Sequence, residues 1–399
     1  MSILHDFHQP GVSFTQQLIH MNRRRRQTAL PVFVGYTAHV EPYQLVNVPS
    51  FQQFDNDDNE QKSTPVPNSY FDRCLRHYFD NGGTECFVIS LGTKIQSEND
   101  LLNEAIYSLI DSESAITLLA MPDMVLLPDK QQRQLIQKLG DFCANNMNLF
   151  AIIDLPAKPK AAENLINSLN VFGADRLAGY WPWLIVDYTN GYGQRSCIPP
   201  SGAIVAAIQL TDQERGIWKA PANIALKKVI RPAYSHTTPI ALFHADPSVS
   251  SSINQIRSFP GRGVLLWGCR TLKASRDKHK LYIQNRRLVM WIESELHYLL
   301  QPFVFEPNNE ITWYRIKALI RRTLREIWEK GGLLGGSEDE AYRILVGLGE
   351  SMSEEDLDDG VLRIRVAVAI HRPAEFIQIS LKFYVNSVEN DITDRINQL

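Results

Sequence analysis

The alternation of strand and helix in this chain is clearest in residues 116–155, which read ITLLAMPDMVLLPDKQQRQLIQKLGDFCANNMNLFAIIDL. The stretch opens with the apolar run 116–121 and closes with a second apolar run, 149–155. Between them, residues 131–145 place apolar side chains at the spacing of an amphipathic helix. Short apolar strands on either side of a helix are typical of a βαβ unit, whose parallel sheet is covered on both faces. The stretch therefore predicts an α/β domain.

The same alternation continues on both sides of this stretch. Apolar runs that predict further strands occur at residues 31–37, 86–91 and 183–187. Helical patterns occur at residues 70–80, 101–110, 161–169 and 201–210. Together these segments predict one α/β domain over residues 31–235.

The pattern changes after about residue 235. Two long amphipathic helices are predicted at residues 281–300 and 311–330. Two runs of period-two alternation follow, at residues 362–370 and 376–383, and predict a β-hairpin. The alternating apolar positions of this hairpin include Ile364, Val366, Val368, Ile377, Ile379 and Leu381. These elements predict a second domain, of the α+β class, over residues 236–385.

Both ends of the chain have the character of arms. Residues 1–30 are polar, and Val12 and Phe14 alternate there with polar residues in the pattern of one short strand. Residues 386–399 are also polar, with Val388 and Ile392 as sparse apolar positions. We therefore predict an extended N-terminal arm and an extended C-terminal arm.

Composition excludes several classes of function. Of 399 residues, 44% are hydrophobic, which is enough for large cores, and the net charge of -3 gives no electrostatic case for nucleic acid. No apolar run approaches the roughly 20 residues of a spanning helix, and residues 1–10 lack the apolar region of a signal peptide. We expect a protein made in the cytoplasm and not inserted into a membrane. Its five cysteines lack CxxC spacing, so we expect buried thiols rather than disulfides or a zinc site.

Three aspartates raise the possibility of an enzyme. Asp123, Asp154 and Asp187 come at or just after the ends of predicted strands, and in a parallel sheet such ends form the usual ligand site. Carboxylates there could hold Mg²⁺ for phosphoryl transfer, although aspartate is also common where strands turn. No P-loop follows the first strand. We expect neither a metal nor a cofactor.

Ser201 raises a second catalytic possibility, that of a serine hydrolase. A GxSxG elbow needs glycine two residues before the serine, and Pro199 occupies that position. A subtilisin-type order needs a histidine between the aspartate and the serine, and the chain has none between His77 and His236. We therefore interpret Ser201 as a helix N-cap. An α/β hydrolase or a Mg-dependent phosphotransferase using the strand-end aspartates remains the alternative function.

Several phrases, in the same order along the chain, resemble the contractile tail sheath proteins of phages, R-type pyocins and extracellular contractile injection systems. The resembling phrases are QPGV at 9–12, PVFVGYT at 31–37, IPPSG at 198–202, GIWKAPAN at 216–223, FPGRG at 259–263, WGCRTL at 267–272, YIQNRRL at 282–288, FEPN at 305–308, GLLG at 332–335 and PAEFI at 373–377. Each phrase is short, but the set spans most of the chain.

The resemblance implies a structural protein rather than an enzyme. It implies a subtilisin-like but non-catalytic outer α/β domain, a C-terminal domain that faces an inner tube, and arms that complete sheets of neighbouring subunits. The expected partners are copies of the chain, paralogous sheath subunits, the tube protein, and baseplate and terminal cap proteins. Assembly is expected in the bacterial cytoplasm, with later release in a phage tail or tail-like particle.

Charge patterning suggests where the tube is contacted. Residues 311–330 are rich in arginine and lysine, and residues 338–359 are rich in acids. Ser337 followed by Glu340 fits a capping box, which predicts that a helix begins there. Its first turn would concentrate Glu338, Asp339 and Glu340, and the family resemblance places the corresponding region on the inner side. We therefore interpret these three carboxylates as the tube-facing site.

Overall fold

The structure is a computed structural model, and it describes residues 27–55, 66–94, 100–189, 195–234, 251–274 and 278–371. Seven of the predicted assembly positions lie outside these ranges. They are Val12, Phe14, Ile377, Ile379, Leu381, Val388 and Ile392.

The described residues contain a nine-stranded sheet with a parallel centre. Its strands, in chain order, are β1 Pro31–Gly35, β2 Leu45–Val48, β3 Cys86–Ser90, β4 Leu118–Ala120, β5 Phe150–Asp154, β6 Leu177–Trp181, β9 Ile224–Ala225, β11 Asn254–Phe259 and β12 Gly263–Trp267. Their spatial order is β2-β3-β1-β4-β5-β6-β11-β12-β9. The strands from β3 to β11 run parallel, and β2, β12 and β9 add antiparallel edges. The predicted α/β class is confirmed, with these mixed edges as a refinement.

Alternate residues of the central strands enter two different cores. In β1, Val32 and Val34 join one apolar cluster, whereas Phe33 joins the other. In β5, Ile153 joins the same cluster as Val32, and Ile152 joins the same cluster as Phe33. Both faces are therefore covered, which explains why these strands appear in the sequence as continuous apolar runs. The helices of this part are α1 Phe51–Asp55, α2 Phe71–Asp80, α3 Glu104–Ser112, α4 Asp129–Asn145, α5 Pro159–Asn167 and α6 Ser201–Arg215.

One predicted strand belongs to another sheet. Residues 183–187 were expected among the parallel strands, but β7 Leu184–Thr189 lies in an antiparallel sheet between β8 Arg195–Ile198 and β10 Val229–Pro232. The parallel position beside β5 is taken by β6, which the apolar pattern did not reveal.

The C-terminal elements are α7 Lys278–Leu281, α8 Ile283–Leu300, α9 Glu310–Glu329, α10 Glu338–Ala341, β13 Tyr342–Leu345, α11 Glu354–Asp358 and β14 Arg365–Val368. Of these, α8, α9, α10, β13 and β14 contribute to a third core, whereas Leu281 of α7 packs in a small separate cluster with Cys269 and Tyr282. The two long predicted helices are confirmed as α8 and α9, whose apolar stripes meet in this core. Among the described helices, none is long and apolar enough to cross a membrane.

Two local predictions in this region need correction. A helix does begin at Glu338, but it ends at Ala341, and the Ser337 side chain makes no capping hydrogen bond. The capping box forms instead at Ser353 with Asp356, at the start of α11. The chain after Ala341 becomes a strand because β13 pairs with β14, a partner too distant in sequence for a local pattern to reveal.

The first half of the predicted hairpin is a strand with a different described partner. β14 pairs antiparallel with β13, in the register Ile344 opposite Val366. Ile364, Val366 and Val368 pack against the third core, as the alternation predicted. The expected partner segment, residues 376–383, lies outside the described ranges. Four of the five cysteines, Cys74, Cys86, Cys143 and Cys269, are buried, as expected, whereas Cys197 is partly exposed.

Candidate assembly surfaces

Two of the three strand-end aspartates, Asp123 and Asp154, accept hydrogen bonds from backbone N–H groups. Asp123 is buried, and its two carboxylate oxygens accept hydrogen bonds from the Tyr36 N–H at 2.9 Å, the Ser69 hydroxyl at 2.9 Å and the Tyr70 N–H at 2.7 Å. Burial raises the pKa of Asp123 to about 6, although these hydrogen bonds oppose the shift. The carboxylate thus joins the end of β1 to the start of α2.

Asp154 caps the helix on which Ser201 lies. Its Oδ1 accepts a hydrogen bond from the Ser201 N–H at 2.9 Å, and Pro200 occupies the N-cap position of α6. The interpretation of Ser201 as the N-cap is therefore wrong, because a carboxylate from β5 satisfies the helix terminus instead. Asp187 is exposed in β7, in a different sheet, so the three aspartates do not share one edge. Within the described ranges, no cluster of three potential metal ligands occurs.

Burial makes Asp154 a titrating group near neutral pH. Burial raises its pKa to about 7, against the opposing effect of its contact with Ser201. The pKa of an aspartate in an unfolded chain is about 3.9. Between about pH 3.9 and pH 7 the native state therefore holds a proton that the unfolded state has lost, and the free energy of unfolding falls as the pH rises through this range. We expect Asp154→Asn to raise the free energy of unfolding at pH 8 by up to about 4 kcal/mol, at about 1.4 kcal/mol per pKa unit, and by clearly less at pH 5. Urea unfolding at pH 5 and pH 8 measures this difference.

The control for that measurement is Asp187→Asn, because Asp187 is exposed on β7. Its effect should be small and similar at the two pH values. An Asp154→Asn gain that is equal at pH 5 and pH 8 would mean that the buried carboxylate is already ionised in the native state at pH 5, and that its pKa is not raised to about 7.

Two adjacent arginines at the start of α8 bind the α/β part of the molecule. The Arg287 guanidinium donates to both carboxylate oxygens of Asp212, at 3.0 and 2.7 Å, and to the Thr28 carbonyl oxygen at 2.8 Å. The side chains of Arg287 and Asp212 are only 4% and 2% exposed. Arg286 forms an ion pair of 2.7 Å with Asp175. Because Thr28 lies at the beginning of the described chain, the Arg287 contact holds that end of it against α8.

Trp218 connects the loop after α6 to the loop after α9. A Cβ atom at Gly216 would lie 2.4 Å from the Trp218 ring, and one at Gly332 would lie 2.7 Å from it, so only glycine allows the indole to sit between them. Gly216 also has a φ of +92°, which favours glycine. Beside this indole is a cavity of about 630 Å³ that is also lined by Trp291. We call it the tryptophan cavity.

Several large apolar side chains are exposed at the corner between α8 and α9. They are Val304, Phe305, Ile311 and Tyr314, which we call the corner patch. Clusters of this kind on a folded protein usually mark a contact with another macromolecule. This patch was not singled out from the sequence, although it contains the FEPN phrase.

The three predicted tube-facing acids lie close together but differ in their surroundings. Glu338 forms an ion pair with Arg325 of α9 and accepts a hydrogen bond from the Tyr342 hydroxyl at 2.6 Å. The Tyr342 hydroxyl and the Arg325 guanidinium lower the pKa of Glu338. Glu340 accepts from the Gly336 N–H at 2.8 Å, and Asp339 is exposed. Glu338 is thus already neutralised within the subunit.

Comparison with known structures identifies the family. A chain of the anti-feeding prophage (AFP) baseplate in its contracted state is 34% identical, with a TM-score of 0.83, over 95% of this chain and 99% of that one. The AFP helical sheath in its contracted state is 32% identical, with a TM-score of 0.73, over 94% of this chain and 98% of that one. This chain belongs to the contractile sheath proteins. The PVC sheath complex in its contracted state is a further match, at 27% identity and a TM-score of 0.74, over 96% of this chain and 99% of that one.

The sheath family agrees with the resemblance seen in the sequence. A scan of protein-family models and a search of curated proteins gave no match, so the structural comparisons carry the assignment. The protein is a structural subunit of a contractile sheath, and the neighbours give no support to the hydrolase or phosphotransferase alternative. The relatives are chains of helical sheath and baseplate assemblies, so association with other sheath subunits is part of that function.

Proposed function

We propose that this sheath subunit polymerises helically around an inner tube, and that contraction of the polymer drives the tube through a target envelope. The observation that carries the proposal is the 32% identity to the AFP helical sheath over 98% of that chain. The partners are copies of this chain, paralogous sheath subunits, the tube protein, and baseplate and terminal cap proteins. Nucleic acid and direct membrane insertion have no part in it, and no reaction is catalysed.

We propose a separate role for each domain and for the two arms. Residues 31–235 form a non-catalytic, subtilisin-like outer domain, and residues 236–385 form an inner domain that faces the tube. The arms, 1–30 and 386–399, supply strands to neighbouring subunits through Val12, Phe14, Val388 and Ile392. Their acceptor is the sheet that contains Ile364, Val366 and Val368, together with the hairpin positions Ile377, Ile379 and Leu381. Main-chain hydrogen bonds would supply the affinity of such β-augmentation.

The energy for contraction would be stored during assembly. An extended and a contracted packing of the same subunit are two discrete states, and the difference between their free energies can do the work. Assembly takes place in the bacterial cytoplasm, and the particle acts after release.

Glu338, Asp339 and Glu340 are the proposed tube-facing site. Exposed ion pairs contribute only about 0–1 kcal/mol each, which suits contacts that must release during contraction. Because Glu338 is bound to Arg325, the free charge available to the tube comes from Asp339 and Glu340. High salt should weaken this contact, since the Debye length falls to about 3 Å at 1 M.

Electron microscopy of the chain expressed with its tube and baseplate proteins tests both the function and this site. The unmodified chain should give long striated tubes in the extended state. We expect Asp339→Lys/Glu340→Lys to polymerise equally well but to give contracted, empty sheaths. Glu354→Lys/Glu355→Lys on α11 makes the same charge change on exposed residues and should retain the tube.

The possible failures of this experiment have different meanings. Small particles without tubes from the unmodified chain would overturn the sheath function. Extended, tube-filled particles from Asp339→Lys/Glu340→Lys, at the frequency of the unmodified chain, would overturn only the tube-facing assignment.

A further inference from the structure

The small sheet formed by β13 and β14 carries positive charge on the side away from its core. Ile344, Val366 and Val368 of this sheet pack against the third core. Because side chains alternate across a strand, Arg343 and Arg365 lie on the opposite side, and both are exposed. In the register of the two strands they are diagonal neighbours, so their like charges repel each other. We call these two arginines the basic surface.

The acids close to the basic surface pair with other bases. Glu350 interacts with the charge of Arg343, but its ion pair, of 2.7 Å, is with Lys317. Asp356 forms its ion pair, of 2.8 Å, with Arg363. Within the part of the chain that the structure describes, neither arginine of the basic surface forms a hydrogen bond or an ion pair through its side chain.

The groove beside β13 leaves the balance of charge positive. It measures about 350 Å³, and the charged residues that line it are Lys317, Arg321, Arg343, Glu338 and Asp339. Lys317 and Glu338 are each ion-paired with a residue outside the groove. Asp339 therefore faces a surplus of arginine, and a partner that brings carboxylates would be favoured at this surface.

The sheet can also accept a further strand. Among the described residues it consists of β13 and β14 alone, joined over the four residue pairs from Tyr342 opposite Val368 to Leu345 opposite Arg365. Unpaired backbone groups on an outer edge are a template for strand addition. An added strand would continue both sides of the sheet, with alternate residues over the third core and beside the basic surface.

The C-terminal arm has the sequence pattern that such a strand needs. Residues 388–392 read VENDI, in which Val388 and Ile392 are separated by Glu389 and Asp391 on alternate positions. With the two apolar side chains over the third core, the period of two places both carboxylates on the side of the basic surface. Apolar contact and charge thus favour the same orientation of the strand.

The N-terminal arm does not share this pattern. Its apolar positions Val12 and Phe14 alternate with Ser13 and Thr15, which carry no charge. Main-chain hydrogen bonds would form with either arm, so charge is the feature that distinguishes the two.

We propose that the C-terminal arm of a neighbouring copy adds to this sheet as a strand, with Glu389 and Asp391 paired to the basic surface. The inference rests on the proposed function, in which the arms supply strands to neighbouring subunits, and it identifies the arm that this surface recognises. The N-terminal arm in the same place would leave both arginines without partners, which would favour the C-terminal arm there.

The first test reverses the charges of the two sides separately and then together. The sheet variant is Arg343→Glu/Arg365→Glu, and the arm variant is Glu389→Arg/Asp391→Arg. Each should reduce the number of tubes about tenfold or more, because like charges then meet at the contact. Both pairs of substitutions on one chain restore opposite charges and should recover the tubes. Tubes are counted by negative-stain microscopy of the chain expressed with its tube and baseplate proteins, and circular dichroism checks that each variant is folded.

The control is Lys130→Glu/Arg133→Glu, which makes the same charge change on exposed residues of α4 and should assemble normally. A sheet variant or an arm variant that assembles as well as this control would overturn the proposal. A combined variant that assembles no better than the sheet variant would also overturn it. Absence of tubes from the unmodified chain would instead contradict the sheath function.

A mixture of two chains tests whether the arm comes from a neighbouring copy. When the sheet variant and the arm variant are expressed together, opposite charges can meet only between different chains. We expect the mixture to give many more tubes than either variant alone. A mixture that gives no more tubes than its components, beside a combined variant that assembles, would mean that each arm binds its own sheet, and would overturn the assignment to a neighbour.

Discussion

Arg287→Ala should lower the free energy of unfolding by about 3–5 kcal/mol, the usual cost of removing one partner from a buried ion pair. The substitution would leave the Asp212 carboxylate buried without its two guanidinium hydrogen bonds, and the Thr28 carbonyl oxygen without its donor. The uncompensated charge on Asp212, rather than the lost attraction, accounts for most of this cost. Denaturant unfolding of the monomeric subunit measures the change.

Two comparisons isolate the effect of burial at this ion pair. Arg325→Ala breaks the pair with Glu338, whose side chains are 50% and 27% exposed, and should cost far less than Arg287→Ala because water solvates the charge that remains. Arg287→Met/Asp212→Leu replaces the buried pair by apolar groups. It should recover most of the lost free energy of unfolding, because no buried charge is then left without a partner. An Arg287→Ala cost as small as that of Arg325→Ala would show that Asp212 finds water or another partner.

The predictable part of the fold is the part in which local pattern and burial agree. β1, β3, β4 and β5 are covered on both faces, so each appears as an apolar run that the sequence displays directly. The sequence pattern did not predict β6 because this strand contains Gly179, where a Cβ atom would lie 3.1 Å from Leu272. Close packing there requires a small residue, and the small residue weakens the apolar signal.

The assembly surfaces were harder to predict because each joins residues that are distant along the chain. The contact of Asp154 with Ser201 spans 47 residues, and that of Arg287 with Thr28 spans 259. Family phrases marked several of these positions, including Trp218, Arg287 and Phe305, without indicating what they contact. The pairing of Glu338 with Arg325 likewise appears only when α10 is folded against α9, and it changes which acids remain free.

Deleting residues 1–20 or 386–399 should leave a folded subunit that forms no sheath. The described part of the chain, within residues 27–371, already supplies three extensive apolar cores, and a deletion that stops at residue 20 spares Thr28 and its bond to Arg287. The free energy of unfolding should therefore change by less than about 0.5 kcal/mol, as for surface changes. Assembly should be lost because each neighbouring sheet would lack a strand and its main-chain hydrogen bonds. Denaturant unfolding and negative-stain microscopy measure the two effects.

Proline substitutions separate strand pairing from the mere loss of chain length. Val12→Pro/Phe14→Pro keeps every residue and charge of the N-terminal arm but removes two backbone donors, so it should abolish assembly as the deletion does. Val12→Ala/Phe14→Ala keeps those donors and removes only the side chains, so it should reduce assembly less if main-chain bonds supply the affinity. Full-length sheath from the proline variant would mean that the arm does not act as an added strand. A weaker sheath from the alanine variant than from the proline variant would place the affinity in the side chains instead.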